Sequence, residues 1–155
     1  MRVSTKSDYA LRALIEIATR ESTGERRAVS AEELGKAQDV PHGFLQAILA
    51  DLRRSGIVMS QRGQSGGWRL AQAATDVSVA DVIRAVDGPL VSVYGLRPEA
   101  VSYSGNAEVL QRVWIAARTS LRDVFEAVSI ADLAEGQLPE AVMAMTLDED
   151  AWQPH

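Results

Sequence analysis

Residues 40–70, VPHGFLQAILADLRRSGIVMSQRGQSGGWRL, decide the fold of this chain. Pro41 suits the first position of a helix, and Gly56 can end that helix in the left-handed conformation. Between them apolar residues recur at steps of three and four, as one face of a helix requires: Phe44, Leu45, Ile48, Leu49 and Leu52. The stretch therefore begins with an amphipathic helix.

The opposite face of this helix is small, polar or basic. Such side chains can approach a DNA groove and its phosphates, and here they are His42, Gly43, Gln46, Ala47, Ala50, Arg53 and Arg54. Core packing alone could explain an amphipathic helix, so the helix by itself does not identify a DNA-binding protein. The residues that follow it favour DNA binding.

Two short apolar runs, Ile57–Ser60 and Trp68–Leu70, follow the helix and predict a hairpin. The seven residues between them have no apolar side chain, whereas a tight connection needs only about two to five residues. Glycines in this loop permit positive φ and leave Arg62 at a slim tip: Gly63, Gly66 and Gly67. A helix followed by a basic hairpin predicts a winged helix-turn-helix.

Two further helices are predicted before this stretch. One begins near Ser4 and runs to about Arg20; we predict phosphate contacts from Arg2, Ser4 and Lys6, with solvated surface charge as the alternative for the basic residues. The second is short and begins with a capping box of Ser30 and Glu33. Its N-terminus, which carries Ser30, can also accept a phosphate.

Composition excludes several classes of protein. The chain has 155 residues, 46% of them hydrophobic, and no apolar run approaches the roughly 20 residues that span a bilayer. With no secretory signal at the N-terminus, we expect a cytoplasmic protein without membrane contact. There is no cysteine, and the two histidines, His42 and His155, lie far apart in the sequence, so we expect no metal site.

Charge is distributed unequally along the chain. Residues 1–70 have 11 Lys and Arg against 8 Asp and Glu, a net charge of +3, whereas residues 71–155 have 5 against 13, a net charge of −8. DNA affinity depends on where phosphates meet basic side chains rather than on the total charge. The basic half coincides with the predicted winged helix, so the net charge of −5 is compatible with DNA binding.

The acidic half predicts a dimerisation helix. A short helix begins at Ser78 and stops at Asp87-Gly88-Pro89, and residues 90–105 form an irregular loop. From Asn106 a heptad follows, formed by Leu110, Trp114, Ala117, Leu121, Val124 and Val128. We predict a coiled-coil-like dimer seam, the alternative being a helix packed on its own domain. Another short helix begins at Ser129, and residues 135–155 are predicted to be a mobile tail.

Three blocks together resemble one family: MRVSTKSDYALRALIEIA, VSAEELGKAQDVPHGFLQAILADLRRSGIVMSQRGQSGGWRLA and VSVADVIRAVDGP. They are similar to the Rrf-two (Rrf2) family of bacterial winged-helix transcription regulators. The resemblance implies a homodimer with crossed long helices on a pseudo-palindromic DNA operator. It also implies that Gly43, Gln46 and Ala47 face bases in the major groove and that Arg62 enters the minor groove.

The chain departs from many of these relatives in one respect. They hold an iron-sulfur cluster with three cysteines between the helix that ends at Gly88 and the long helix, whereas this segment has serines instead: Ser92, Ser102 and Ser104. A cluster with thiolate ligands cannot form, so we expect no cofactor, and Asp8 is interpreted as a helix-terminal acid. The 90–105 loop could instead line an effector pocket with Tyr94, Arg97 and Tyr103, or only pack against the long helix.

The predicted fold is mainly α with a small β-wing. We predict a winged helix-turn-helix domain at residues 1–89, a possible effector loop at 90–105, a dimerisation helix with a short C-terminal helix at 106–134, and a tail at 135–155. The predicted function is that of a homodimeric, sequence-specific DNA-binding regulator, most simply a repressor. The alternative is a protein-interaction adaptor; no arrangement of nucleophile, paired carboxylates or phosphate loop indicates an enzyme.

Overall fold

The computed structural model describes residues 3–25 and 27–154 and confirms a mainly helical fold with one small sheet. Short 3-10 turns occur in the loops. The helices and strands are α1 Thr5–Ser22, α2 Ala31–Gln38, α3 His42–Arg54, β1 Val58–Gln61, β2 Gly67–Leu70, α4 Val79–Asp87, α5 Leu110–Phe125, α6 Ile130–Glu135 and α7 Glu140–Ala144.

Serine caps begin four of these helices. The hydroxyl of Ser4 accepts the Ser7 amide, and complete capping boxes begin α2, α4 and α6. In each box the serine hydroxyl accepts the amide three residues on, while the acidic side chain there accepts the serine amide. Each cap stabilises its helix by about 1 kcal/mol, which is why the sequence predicted these helix starts correctly.

Helix α1 is the centre of the hydrophobic core. Its buried face, which includes Ala13, Leu14 and Ile17, packs against α2, α3, α4 and α6. Small alanine side chains allow these helices to approach closely. Helix α3 contributes Leu45, Ile48, Leu49 and Leu52, all fully buried. Phe44 was predicted on this apolar face, but it is 57% exposed and meets Tyr9 edge to face at 6.0 Å between ring centroids.

The turn between α2 and α3 is tight. Asp39 has a φ of 52°, and the Val40 amide donates to the Gly35 carbonyl at 3.0 Å. A Cβ on Gly35 would lie 2.8 Å from the Val40 carbonyl oxygen. The turn therefore needs a residue without a side chain at this position of α2, and it fixes how α3 leaves α2.

The wing is a two-stranded antiparallel hairpin in which Val58 pairs with Leu70 and Gln61 with Gly67. Trp68 also exchanges two backbone hydrogen bonds with Val29, at 2.8 and 2.9 Å, which attach the hairpin to the segment before α2. A Cβ on Gly67 would lie 2.5 Å from the Val29 carbonyl oxygen. Gly67 is therefore required for this backbone approach inside the protein.

Helix α6 belongs to the core of the winged domain, so the predicted grouping of residues 106–134 is wrong for this helix. The Ile130 amide donates to the Val77 carbonyl and the Val79 amide to the Val128 carbonyl, both at 2.9 Å. Ile130 is fully buried against α1, and Leu133 packs beside it. Because α5 ends at Phe125, Val128 lies in the connection to α6 and not on the predicted helical seam.

Helix α5 lies on the outside of this domain and has no fully buried residue. It is held by the loop before it: the Gln111 amide donates to the Val101 carbonyl at 2.5 Å, and the Trp114 indole donates to the Tyr103 hydroxyl at 3.1 Å. The segment predicted to be a tail contains the short helix α7, which the sequence did not indicate. In the described part of the chain, no helix is long and apolar enough to cross a membrane.

Candidate nucleic-acid interface

The solvent-facing side of α3 is the surface that the sequence predicted for DNA. Every residue of it is exposed: His42, Gly43, Gln46, Ala47, Ala50, Arg53 and Arg54. A Cβ on Gly43 would meet no atom within 4 Å. Because Gly43 and Ala47 are small, the α3 backbone itself can approach a groove wall closely near the start of the helix.

Gln46 lies beside His42 on this surface. The Gln46 Nε2 and His42 Nε2 atoms are 3.3 Å apart, one helical turn from each other. An amide can donate and accept at once, as recognition of an adenine edge requires. Binding a base through Gln46 would therefore exchange this local contact for one to DNA, and both groups are exposed enough to move.

The two arginines at the end of α3 differ in their surroundings. Arg54 is paired with Asp51, which also pairs with Lys6 of α1; hydrogen bonding from Lys6 is the main reason that the pKa of Asp51 is lowered. The Arg53 side chain makes no hydrogen bond or ion pair with any residue that the structure describes. Its guanidinium is therefore the more available of the two for a phosphate.

The predicted contacts at the start of α1 are used inside the protein. Ser4 caps the helix and donates to the Asp87 carboxylate, which also accepts from the fully buried Ser7 at 2.6 Å. Lys6 Nζ donates to the Val86 carbonyl at 2.8 Å and pairs with Asp51. These contacts fasten α1 to α4 and α3. Arg2 lies outside the described residues.

At the tip of the wing, Arg62 is exposed and makes no hydrogen bond or ion pair within residues 3–25 and 27–154. Gly63 has a φ of 115°, and a Cβ on Gly66 would lie 2.6 Å from the Gln61 carbonyl oxygen. The glycines thus shape the turn itself. Within residues 61–67, Arg62 has the only charged side chain, and it can reach a ligand from this tip.

The N-terminus of α2 already holds a carboxylate. Glu33 accepts the Ser30 amide at 2.9 Å and two hydrogen bonds from Arg27, at 2.6 and 3.2 Å. Those Arg27 bonds, followed by the Ser30 bonds, lower the pKa of Glu33 to about 2. The Ser30 hydroxyl accepts the Glu33 amide at 3.1 Å, so this cap is satisfied without a phosphate.

The predicted seam residues lie along one side of α5. Leu110, Trp114, Leu121 and Val124 are half-buried in the single chain, and Ala117 is exposed. Trp114, Ala117 and Leu121 line an apolar groove of about 770 Å³, whose opposite wall is formed by the chain from Pro89 to Val93. The walls of this groove are mostly apolar.

The structure does not bring the three predicted effector residues together. Tyr94 is 92% exposed, and the Tyr103 hydroxyl is bonded to Trp114. Arg97 alone lines a cavity, of about 430 Å³, and its neighbours there were not predicted: Arg84, Arg118 and Arg122. The sequence signal was available, since Arg118 and Arg122 are spaced one helical turn apart and residues 71–155 contain only five arginines.

Comparisons with known proteins agree on one family. The model of the Rrf2 family, described as iron-dependent transcriptional regulators, matches residues 3–136. A Mycobacterium tuberculosis protein, provisionally named an HTH-type transcriptional regulator, is 43% identical over 148 residues, which cover 96% of this chain and 90% of that protein. The HTH-type transcriptional regulator CymR of Bacillus subtilis is 28% identical and covers 86% of this chain and 90% of its own.

Solved structures give the same result. The structure of CymR, the global cysteine regulator of B. subtilis, has a TM-score of 0.72 at 25% identity, over 88% of this chain and 98% of that one. IscR of T. potens has a TM-score of 0.68 at 25% identity, over 99% and 97% of the two chains. The winged helix-turn-helix architecture and the long helix are thus shared with these regulators.

The donor groups of this chain do not fit the iron named in the family description. The sequence has no cysteine, and the 90–105 segment has Ser92, Ser102 and Ser104, whose hydroxyls do not replace thiolates as cluster ligands. Within the described residues, no three His, Asp or Glu side chains are grouped to hold a metal ion. The chain therefore lacks the ligands for a cysteine-bound iron-sulfur cluster.

Proposed function

The chain belongs to the Rrf2 family of helix-turn-helix transcriptional regulators, which are not enzymes, and from this premise we propose that it is a homodimeric, sequence-specific DNA-binding repressor. The exposed surface of α3 is the observation that carries this proposal. Its small and polar residues lie beside Arg53, whose side chain has no partner among the described residues, whereas Leu45, Ile48, Leu49 and Leu52 on the other face are buried in the core. A DNA-binding role also places the protein in the cytoplasm.

Recognition is assigned to α3 in the major groove. Gly43 and Ala47 let the helix approach the bases. Gln46 exchanges its contact with His42 for a contact with a base edge. Arg53, which has no partner among the described residues, binds a phosphate and fixes the register of the helix. Arg62 extends from the wing into the minor groove, where the negative potential attracts a guanidinium. Arg2, which precedes α1 in the sequence, would add a phosphate contact.

Dimerisation is assigned to α5. Its seam side chains from Leu110 to Val124 are half-buried or exposed in one chain, and the groove beside Trp114 and Leu121 has mostly apolar walls. A second copy of α5 supplies such a face and brings two winged domains onto one pseudo-palindromic operator. Since the chain lacks thiolates, the DNA-binding form requires no iron-sulfur cluster.

The experiment that tests this function begins with the operator. Random genomic fragments retained by the purified full-length protein are sequenced, and the enriched fragment is compared with a shuffled sequence of equal composition by fluorescence anisotropy. We expect a two-fold symmetric motif and binding of that fragment at least 100-fold tighter than the shuffled one at 150 mM salt, which corresponds to about 3 kcal/mol. Equal binding of both fragments would falsify sequence-specific recognition and favour the adaptor.

Repression is tested separately with a reporter gene placed downstream of the enriched fragment. We expect lower reporter expression when the protein is present and restored expression with Arg53→Gln, which removes the free phosphate contact without breaking a contact in the fold. The same variant should fold normally, as measured by circular dichroism. Higher reporter expression with the wild-type protein would identify an activator instead.

A further inference from the structure

Four of the five arginines in the acidic half of the chain surround one cavity. Residues 71–155 have a net charge of −8, yet Arg84 of α4, Arg97 of the loop, and Arg118 and Arg122 of α5 line the same space of about 430 Å³. Glu99 is the only acidic residue in its lining. Such a concentration of positive charge in an acidic region is unfavourable without anionic partners.

The carboxylates near the cavity satisfy only part of this charge. Glu126 pairs with both Arg84 and Arg122, with Arg122 Nε at 3.0 Å; Asp81 also pairs with Arg84, at 3.4 Å, and Glu99 pairs with Arg118. Hydrogen bonds from Arg122 and Arg84 lower the pKa of Glu126 to about 2, so this carboxylate stays charged at neutral pH. These pairs orient the arginines and leave part of each guanidinium free to donate.

Arg97 has no such partner. Its side chain is exposed and makes no hydrogen bond or ion pair with any residue in the described ranges; only its backbone carbonyl accepts a hydrogen bond, from the Ala100 amide. Its planar group can donate two parallel hydrogen bonds to a carboxylate or a phosphate. The rest of the lining is the short apolar segment Pro89, Leu90 and Val91, which can contact the carbon body of a small molecule. The volume is within the range of small-ligand sites, about 300 to 1,000 Å³.

We propose that this cavity, the arginine cavity, binds a small multivalent anion with carboxylate or phosphate groups, and that this anion is the regulator's effector. The effector role rests on the proposed DNA-binding function, whereas anion binding does not. Binding there is coupled to α3 through the end of α4. Residues Gly88 to Val91 line the cavity, and the adjacent Val86 carbonyl accepts from Lys6, which pairs with Asp51 of α3.

Binding is tested on the full-length protein without DNA. Inorganic phosphate and citrate are titrated by isothermal calorimetry at fixed ionic strength, with acetate as the single-carboxylate control. We expect saturable binding of citrate or phosphate, at least tenfold tighter than acetate, because several guanidiniums contact one ligand. If neither multivalent anion binds better than acetate, the proposal is overturned, and the arginines serve only the ion pairs already present.

Matched variants locate the site. Arg97→Gln should weaken anion binding at least tenfold with an unchanged melting temperature, because Arg97 makes no contact that supports the fold. Arg112→Gln removes the fifth arginine of this half, which lies on α5 outside the cavity lining, and should change the affinity less than twofold. Equal losses in the two variants would show that the anion binds by general charge, which overturns the arginine cavity as its site.

The effector role is then measured by anisotropy on the enriched fragment. A saturating concentration of the bound anion should change the DNA dissociation constant at least threefold for the wild-type protein and leave it unchanged for Arg97→Gln. Anion binding without any change in DNA affinity would overturn the effector role alone. If the protein binds no DNA, the calorimetry still decides whether the site exists.

Discussion

At the scale of single residues, Gln46 and Arg62 carry different kinds of recognition. Gln46 faces outward from α3, and Arg62 lies at the wing tip without a partner in the described chain. We expect Gln46→Ala to relax the preference at one base position of each half-site, at a cost of about 1 to 3 kcal/mol. Arg62→Ala should weaken binding to all sequences and flatten its salt dependence.

Both effects are measured by anisotropy on a set of single-base operator variants at several salt concentrations. Each variant is the control for the other, since one tests base readout and the other tests charge. Equal losses that do not depend on the sequence would contradict the placement of α3 in the major groove.

The charge of Glu33 is a second property of a single residue with a measurable consequence. Arg27 and Ser30 lower its pKa to about 2, from an ordinary value of about 4.5. A carboxylate whose pKa is depressed in the folded state stabilises that state fully above the ordinary pKa and loses this contribution as pH falls toward 2. The melting temperatures of the wild-type protein and Glu33→Gln should therefore differ at pH 7 and converge between pH 4.5 and 2.

Glu32→Gln is the matched control for this pH effect. Glu32 is exposed in the same helical turn, and its carboxylate makes no hydrogen bond or ion pair in the part of the chain that the structure describes. The melting temperature of the Glu32→Gln variant should follow that of the wild-type protein from pH 7 to pH 2. A constant difference between wild type and Glu33→Gln from pH 7 to pH 2 would mean that the Arg27 pair does not act through charge.

At the scale of elements, the two glycines of the helix-turn-helix have opposite roles. A Cβ on Gly35 of α2 would lie 2.8 Å from the Val40 carbonyl oxygen, so Gly35→Ala must displace the turn, at a cost of about 1 to 3 kcal/mol. Gly43 in α3 has open space around it, and Gly43→Ala should stabilise the helix by about 0.5 to 1 kcal/mol.

Urea unfolding of both variants measures these changes, and the DNA anisotropy assay adds a second readout. We expect Gly43→Ala to bind DNA more weakly although it is more stable, because the methyl group stands on the surface that approaches the bases. A Gly43→Ala protein with unchanged operator affinity would place the closest approach to DNA elsewhere on α3.

At the scale of the whole molecule, α5 decides the assembly. Leu121→Asp places a charge in the apolar groove that the second copy is proposed to fill, at a cost of several kcal/mol, and should give monomers at micromolar concentration. Thr119→Asp is the matched control, because Thr119 is exposed and lies roughly on the opposite side of the helix. Light scattering distinguishes the two states; a Leu121→Asp dimer would place the interface elsewhere.

The Leu121→Asp monomer should also lose specific operator binding while its winged domain stays folded. One domain makes contacts to a single half-site, whereas the dimer joins two half-sites by a fixed spacing. Circular dichroism confirms the fold, and anisotropy measures the affinity. Undiminished operator binding by the monomer would show that one winged domain is sufficient for recognition.

The sequence by itself determined the four serine-capped helix starts, the turn into α3, the wing and the family, because each depends on residues close together in the chain. A serine and an acid three residues later form a capping box without help from the rest of the fold, as Ser78 and Asp81 do. Apolar spacing within α3 is equally local. These patterns identify the elements but not how distant elements meet.

Only the tertiary structure decided which distant residues come together. It joined α6 to the segment before α4 through the hydrogen bond from Ile130 to Val77, paired Lys6 with Asp51, and exposed Phe44 beside Tyr9. It also gathered four arginines from three segments around one cavity. The three contacts between residue pairs join positions 35 to 53 residues apart, and no periodicity within one element encodes which partner a side chain meets when the chain folds back on itself.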